Sequence, residues 1–541
     1  MIRLQKQVCM LTAACTVILS LAGCTSSSKK ADVSTNPSTT ASTSTESTFS
    51  SDKPITLTNF VHWNNKYIMD QSTMPILQKA AKLTNVSLEN TASAMETNSK
   101  QAFNLMIASK NLPDIIGGTK DDINKYGMQG ALKPLNELIE KNAPNFKAYL
   151  DKNPDVKYAI TSPDGKIYHM PFVYDTEISE GWFIRQDWLN TLGLKAPTTK
   201  DELYKVLTAF RNNDPNKNGA KDEVALFSRT TYDNKLLSML SIFGISDYWA
   251  INDKTGKVQI GTYTNEYKNA MKELSKWYSE GLIDSQVLTR DVKKVRDELF
   301  PQNNGGLVHD WFPSTSSYND KMVGSVPGFE LKAILPVADS NGDVWEIASR
   351  DKLNGMGWSI SSTNKYPVET IKYFDFWWSE QGRRLMVFGI EGEDYDMVNG
   401  KPIYKESVVK GKLPINEYIR TRGGIQETVS FLADSTYEYQ MMSQAGMDGI
   451  ELYRKSNVLG KKNVKIPVFS FTKEENAVIT SKWPVCRSYI LETEAVWLTG
   501  GASKIDEGFD KYMTNLKNMG MDEVVNAYDA AYKRYQTSFK K

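Results

Sequence analysis

The stretch Asn212-Asn213-Asp214-Pro215-Asn216-Lys217-Asn218-Gly219-Ala220-Lys221-Asp222-Glu223 sets oxygen-bearing side chains at regular spacing around one glycine. With Asp214 as the first place of a calcium-binding loop, Asn216 and Asn218 fall on the third and fifth places. Gly219 takes the sharp turn at the sixth, and Ala220 offers its carbonyl at the seventh. Asp222 holds the ninth. The usual bidentate Glu of the twelfth place is missing, because Ala225 stands there. Glu223, at the tenth, replaces it if the chain bends back once. Such a set suits Ca²⁺, which takes roughly 6–8 hard oxygen donors at flexible distances. No thiol or imidazole is near, which argues against zinc or copper. The bland alternative is a solvated turn, since Asn, Asp and Gly are turn residues anyway. The expectation is a Ca²⁺ site formed by Asp214, Asn216, Asn218, Ala220, Asp222 and Glu223, clamping the turn and catalysing nothing.

Other chemistry is sparse. The chain has no HExxH, no GxSxG, no phosphate loop and no dinucleotide fingerprint. It carries three histidines, His62, His169 and His309. Glycoside hydrolysis needs only two carboxylates at a defined separation, and 64 acidic residues leave that open. A glycoside hydrolase therefore stands as one reading of the chain.

The elements around these residues read as α/β. Ile55 and Leu57 alternate with threonines in a first strand. A helix-like and then strand-like run follows to Asn90. A second helix and a turn at Leu112-Pro113 lead to a short apolar strand at Asp114-Ile115-Ile116, and β-α-β-α-β order calls for a sheet with crossover helices. Trp182 to Arg185 reads as a strand, followed by a short helix ending at Gly193. Thr199 with Glu202 forms a capping box, and Leu203, Val206, Leu207 and Phe210 mark one face of the helix leading into the calcium-type loop. Tyr267, Met271, Leu274 and Tyr278 give another amphipathic helix, capped at Gly281. The stretch from Pro367 reads as helical up to Gly389, and the C-terminus as two helices broken near Gly520.

The N-terminus sets the compartment. Arg3 and Lys6 precede a short apolar run ending in Leu21-Ala22-Gly23-Cys24, which looks like a bacterial lipobox. The run is too short for a spanning helix and reads as a signal peptide. Residues 1–23 are the expected signal peptide, Cys24 the lipidation site, and 24–53 a Ser/Thr-rich tether too polar to offset its ordering entropy. Residues 54–541 then form the folded part. Of the four cysteines, Cys9 and Cys15 leave with the signal and Cys24 carries lipid; Cys486 remains as a buried structural thiol with no disulfide partner. Loss of Arg3 and Lys6 takes the formal +1 to −1. A near-neutral body has no electrostatic footprint for nucleic acid.

The runs NLPDII, FIRQDWLNTLGLKAPTTKDELYKVLTAF, DPNKNGAKDE, YSEGLID, FGIEGEDY and AYDAAYKRY carry a resemblance. In their order and spacing the chain resembles family 1 of the extracellular solute-binding proteins of ABC importers, in the large lipoprotein branch that binds oligosaccharides. The resemblance implies a periplasmic-binding-protein-like (type II) α/β fold, with two lobes joined by hinge segments and a ligand cleft between them. Lobe 1 is expected over roughly 54–172 plus part of 351–430, and lobe 2 over roughly 173–350 plus part of the C-terminal region. The early-ending calcium loop, with Asp222 and Glu223 as they stand, is typical of that branch. A non-enzymatic monomer is implied, lipid-anchored on the extracytoplasmic face of a bacterial membrane and handing cargo to ABC permease subunits. A ligand-sensing partner of a membrane receptor is the third alternative.

Sugar rings present apolar faces edged by hydroxyls, so such clefts pair aromatic platforms with polar groups. Apolar segments that end in an aromatic or charged residue supply the candidates: Trp63 and Asn64, Asp310 and Trp311, Glu391 and Tyr395, and Arg185. Packing or surface pairing is the ordinary role for each.

Overall fold

The structure is a computed structural model. It describes residues 50–539 except 64–66, 94, 176–177, 230–235, 292–293, 347–349, 427 and 460. Cys24, the signal peptide and most of the tether lie outside the described residues, as does Asn64.

Ten strands build the two principal sheets: β1 (Ile55–Phe60), β2 (Val86–Asn90), β3 (Ile115–Thr119), β4 (Met170–Val173), β5 (Glu180–Arg185), β6 (Val224–Ser228), β7 (Gly305–Trp311), β8 (Leu331–Ile334), β9 (Leu353–Ile360) and β10 (Phe431–Leu432). The first sheet runs in the order β10-β4-β9-β3-β1-β2, and the second β8-β5-β7-β6. Strands β1, β2 and β3 are parallel, joined by the helices Pro75–Thr84 and Ser99–Ala108, as the β-α-β-α-β pattern requires. Strand β9 enters antiparallel between β3 and β4.

Each sheet is buried on both faces, which is why β4 and the inner part of β5 read as unbroken apolar runs. The first core takes residues from Leu57 to Val173 and from Leu353 to Tyr437. The second collects residues from Trp182 to Val337 and from Cys486 to Val524, and a companion core on the other face of the second sheet centres on Phe183, Val308, Phe312 and Tyr453. The fold is the two-lobed one, one lobe on each sheet. The chain passes between the sheets three times, after Val173, after Ile334 and after Leu432.

The helix Lys200–Asn212 buries Leu203, Val206, Leu207 and Phe210, as its periodicity demands. Its cap differs from a full capping box. Thr199 accepts from the Glu202 N–H, but the Glu202 carboxylate accepts from the N–H and hydroxyl of Thr198, one residue further back. The segment Pro367 to Phe388 is two helices, Pro367–Phe376 and Glu380–Phe388, the second capped by Ser379. The 28-residue helix Lys473–Gly500 carries a true capping box of Thr472 and Glu475 and brings buried Cys486 into the second core. Among the described residues no helix is long and apolar enough to cross a membrane.

Candidate functional site

The second sheet brings several polar side chains to one end. Antiparallel pairing sets Glu180 opposite Trp311 and Trp182 opposite His309, while Ile334 of β8 sits opposite Trp182. Strand β6 runs parallel to β7, so Ser228 and the following Arg229 arrive at the same end. Two of the crossing segments start there, one leading into Glu180 and one leaving Ile334. Alternation along β7 puts Val308 and Asp310 on one face and His309 and Trp311 on the other.

On the first face the buried Asp310 carboxylate is the hub. Its Oδ1 accepts from Arg229 Nη1 at 2.9 Å and from the Trp311 backbone N–H at 2.7 Å. Its Oδ2 accepts from the Thr315 hydroxyl at 2.7 Å and lies 3.0 Å from Arg296 Nη1. Arg296 also donates to Ser314 and Thr315.

On the other face His309 Nε2 meets Glu346 Oε1 at 3.0 Å, its Nδ1 lies 3.8 Å from Glu180, and Trp182 packs edge-on against its ring. Burial pulls the His309 pKa down, but the surrounding carboxylates, Glu346 first, outweigh it and leave it raised. Burial pushes Glu180 up to about 7, against the pull of His309. From the crossing segment Arg350 reaches in, its guanidinium 4.4 Å from the ring centre of Tyr174 and 5.2 Å from that of Trp311. Glu438, from the third crossing, accepts from both of its terminal nitrogens, at 2.8 and 3.3 Å. One end of one sheet thus presents an aromatic ring, three guanidiniums and a buried hydrogen-bond network beside all three crossings.

A second polar site lies at the other end of β6. In the loop after the helix Lys200–Asn212, Asp214 adopts φ +47° and Gly219 φ +76°. Asp214 accepts from the backbone N–H groups of Asn218 and Gly219 at 3.0 Å each, so its carboxylate folds over the loop. Asn218 and Asn216 turn toward Asp222, at 3.1 and 3.4 Å. Glu223 is 3% exposed, and neither of its carboxylate oxygens has a hydrogen-bond partner among the described residues. Burial raises its pKa, and Asp222 and Asp214 add to the effect. A buried carboxylate with empty lone pairs beside two further carboxylates is costly unless a cation meets it. The donor set therefore fits Ca²⁺. Among the described residues no three His, Cys, Asp or Glu side chains converge as a ligand group by themselves. An ion here would thus depend on the Asn216 and Asn218 amides, whose oxygen and nitrogen exchange by a half-turn, and on the Ala220 carbonyl. Ala225, at the twelfth place, is buried inside β6, so a ligand there would have to leave the sheet.

No family model matches the chain. The crystal structure of alginate-binding protein AlgQ2 without calcium ion is similar at 37% identity and a TM-score of 0.77, over 90% of this chain and 100% of that one. The fructooligosaccharide ABC transporter substrate-binding protein FusA of Streptococcus pneumoniae serotype 4 is 27% identical over 499 residues, 87% of this chain and 88% of its own. An EF-hand mutant of FusA, in complex with fructo-nystose, superposes with a TM-score of 0.69 at 24% identity over 90% and 100% of the two chains. The polygalacturonan/rhamnogalacturonan-binding protein YtcQ of Bacillus subtilis is 26% identical over 345 residues, 62% of this chain and 66% of its own. The chain belongs to the extracellular solute-binding proteins of ABC importers. Its relatives are substrate-binding proteins, and it is a binding protein, not an enzyme.

Of the residues singled out in the sequence of this solute-binding protein, Asp310 and Trp311 stand together at the end described above. Trp63 lies on a two-residue strand, His62–Trp63, paired with Tyr67–Ile68 just after β1. Arg185 is elsewhere. It occupies the opposite end of β5, fully buried, donating to Asp187 and Asn303 and stacked between Trp188 and Phe329. Its abrupt charge after an apolar strand marks a packing site, so it leaves the cleft set. Tyr395 also leaves it. Only 3% exposed, its ring packs against Phe388 in the first core. Glu391 is exposed on the turn that bridges to Tyr395. His62 is held by Ser99 and the Glu96 carbonyl. Burial, with Lys120 adding, pushes His169 down to about 3.

The sequence reading missed Arg229, Arg296, Arg350, Glu180, Glu346 and Glu438. They come from five separated segments, and no local spacing joins them. The one visible signal was Glu180, which opens the strand that the sequence reading began at Trp182.

Proposed function

We propose that this solute-binding protein captures an oligosaccharide in the cleft between its lobes and delivers it to membrane permease subunits. The observation that carries this is the grouping of Trp311, Asp310 and Arg229 at the crossing end of the second sheet, with Arg350 of a crossing segment over the Trp311 ring. The indole supplies an apolar platform for a sugar face, and the guanidiniums supply donors to its oxygens. Trp63, on the two-residue strand just after β1, is a second proposed platform. Closure follows because the crossing segments contribute Tyr174, Arg350 and Glu438 to the same site, so a ligand that touches them favours one lobe arrangement. The relatives' names cover neutral and acidic sugars, and support an oligosaccharide without choosing one.

Two finer features belong to the same proposal. Asp214, Asn216, Asn218, Asp222, Glu223 and the Ala220 carbonyl would hold a structural Ca²⁺, and the orphaned Glu223 oxygens support it. A bound Ca²⁺ supplies hard positive charge that offsets the loop's carboxylates. Asn216 also donates to the Asn303 carbonyl at 3.1 Å, so ordering the loop ties it to the turn before β7. Cys24 would carry the lipid that tethers the protein to the membrane surface.

The test is ligand capture. The mature protein is incubated with mixed plant and microbial oligosaccharides, re-isolated, and both the bound fraction and the residual pool are read by mass spectrometry. The expected result is an intact oligosaccharide enriched on the protein. Shortened products, or enrichment of no sugar, would overturn the proposal.

A further inference from the structure

Besides its three crossings the chain makes a further, non-covalent tie between the lobes. The segment 459–472 begins on the second lobe. There Lys462 bridges to Asp339 and, at 2.8 Å, to Asp343, while Tyr248 donates to the Asn463 carbonyl at 3.1 Å. Val464 and Lys465 pair antiparallel with Ile251 and Ala250, and Lys465 meets Asp351 of a crossing at 2.9 Å. A cavity of about 250 Å³ follows, lined by the run 464–468, by Arg350 and by Val156 and Ala159 of the first-lobe helix Pro154–Ile160. The segment then touches the first lobe. The Ser470 hydroxyl donates to the Thr161 carbonyl, and Lys120 donates to the carbonyl of buried Phe469 at 3.5 Å. The C-terminal helix Met521–Phe539 backs this contact. Its run AYDAAYKRY sets Tyr528, Tyr532 and Tyr535 on one face. Tyr528 stacks on Trp249 of the second lobe at 4.1 Å and meets Phe471 edge-on at 5.0 Å. Tyr535 reaches across, edge-on to Tyr158 of the first lobe at 5.2 Å, with Phe469 at 6.3 Å. Arg534 pairs with Glu475 and donates to the Ser470 carbonyl at 3.5 Å, which fastens the helix to the strap.

We infer that Phe469, Ser470 and Tyr535 form a latch that holds the lobes in a ligand-accessible arrangement, so that capture proceeds against it. This rests on the capture function proposed above and adds its regulation. In the arrangement that the latch holds, Trp311 is only partly buried and the Arg229 side chain is 16% exposed, so a sugar reaches both. Tyr158, Thr161 and Lys120 belong to one lobe, and Tyr535, Ser470 and Phe469 to the other. Rotation of the lobes about the crossings therefore moves the two sets past each other. Ring packing and hydrogen bonds are short-ranged, and a shift of a few Å, on the order of one bond's reach, forfeits them. Each such contact is worth about two- to tenfold in an equilibrium. A handful of them biases the lobes without locking them, and a ligand with a larger differential affinity still closes the protein. Breaking the latch removes that opposition and tightens binding.

Spin-label distance measurements on the ligand-free mature protein test the latch by itself. Nitroxides go on Lys141→Cys in the first lobe and Lys332→Cys on β8, both exposed, in a Cys24→Ser background where Cys486 is buried. The expected result is one narrow distance distribution for this parent and a shifted or broadened one for Tyr535→Ala and for Tyr158→Ala. Combining the two should add little, because both remove the same contact. Tyr535→Phe, which keeps the ring, should restore most of the parent's distribution. Calorimetry with kestose and trigalacturonate as probes then reads affinity, and the Kd of whichever binds should fall about two- to tenfold in each alanine variant. Parent-like distances in both variants, or freed lobes with unchanged or weaker binding, would overturn the inference and leave capture standing. Should neither probe bind, the capture proposal loses both sugars and the ligand-free distances alone decide the latch. Tyr158 and Tyr535 are only partly buried, and should one variant fail to fold, the other, on the opposite lobe, decides.

Discussion

The guanidinium of Arg350 lies 5.2 Å from the ring centre of Trp311, so a crossing segment rests on the last residue of β7. Arg350 is held from its far side by Glu438 and shares its other face with Tyr174. Movement of the lobes must therefore displace or carry this stack, and a ligand at Trp311 acts on the hinge directly.

Trp311→Ala should weaken binding of the captured sugar by about tenfold, the loss of one aromatic platform worth roughly 1.5 kcal/mol. The ring is only partly buried and belongs to neither core of its lobe, so the melting temperature should hold. Calorimetry with a parallel thermal melt checks both. Unchanged affinity in a folded variant would take Trp311 out of the site.

Glu223 gives a prediction with opposite signs in two conditions. With excess Ca²⁺ the unaltered protein should melt several degrees higher than with excess chelator, since a ligand at about 100 times its Kd adds about 2.7 kcal/mol. Glu223→Gln should abolish most of that difference. In chelator alone the variant should be as stable as the parent or more so, because it no longer buries a carboxylate with empty lone pairs. Equal melting of the parent in the two conditions would remove the site.

The sequence made these two sites unequally visible. The calcium-type loop is contiguous from Asp214 to Glu223, so its ligands announce themselves by spacing. Asp310 and Trp311 were legible because an apolar strand stops there. Arg229, Arg350 and Glu438 meet them only through the order of strands in the second sheet and through the crossings, which no local pattern encodes. The same limit explains Arg185. Charge after an apolar strand marks a strand end, but both ends of β5 are such ends, and only pairing to β7 and β8 says which one faces the crossings. The helix Lys473–Gly500 escaped because its apolar residues are spread over several packing partners and it contains Pro484, whereas Lys200–Asn212 shows one clean stripe.

Arg185→Met separates structure from binding. The guanidinium is fully buried, with Asp187 and Asn303 as acceptors and two rings on its faces. Removing it strands those acceptors, a cost of about 3 kcal/mol when one partner of a buried pair is lost. The expected outcome is a clear drop in melting temperature with ligand affinity unchanged below the transition. A selective loss of affinity at full stability would return Arg185 to the cleft.

The last prediction concerns pH. Inside the second lobe Glu494, 3% exposed, accepts from the Tyr267 hydroxyl at 2.7 Å, while Arg487 donates to Asp247 at 2.8 Å beside it. Burial, reinforced by the charge of Asp247, pushes Glu494 up to about 8 from an ordinary 4.5. The folded chain then holds a proton that the unfolded chain releases between those values. Linkage fixes the sign: this group's contribution is fully present below about pH 4.5 and is lost as pH rises through about 8. Glu494→Gln keeps the neutral shape and an oxygen for Tyr267 but has no proton to lose. It should therefore be more stable than the parent near pH 8, by up to a few kcal/mol, with the gap closing toward pH 5. Urea unfolding across that range measures it. Parallel curves for parent and variant would show that Glu494 is ionised in the core.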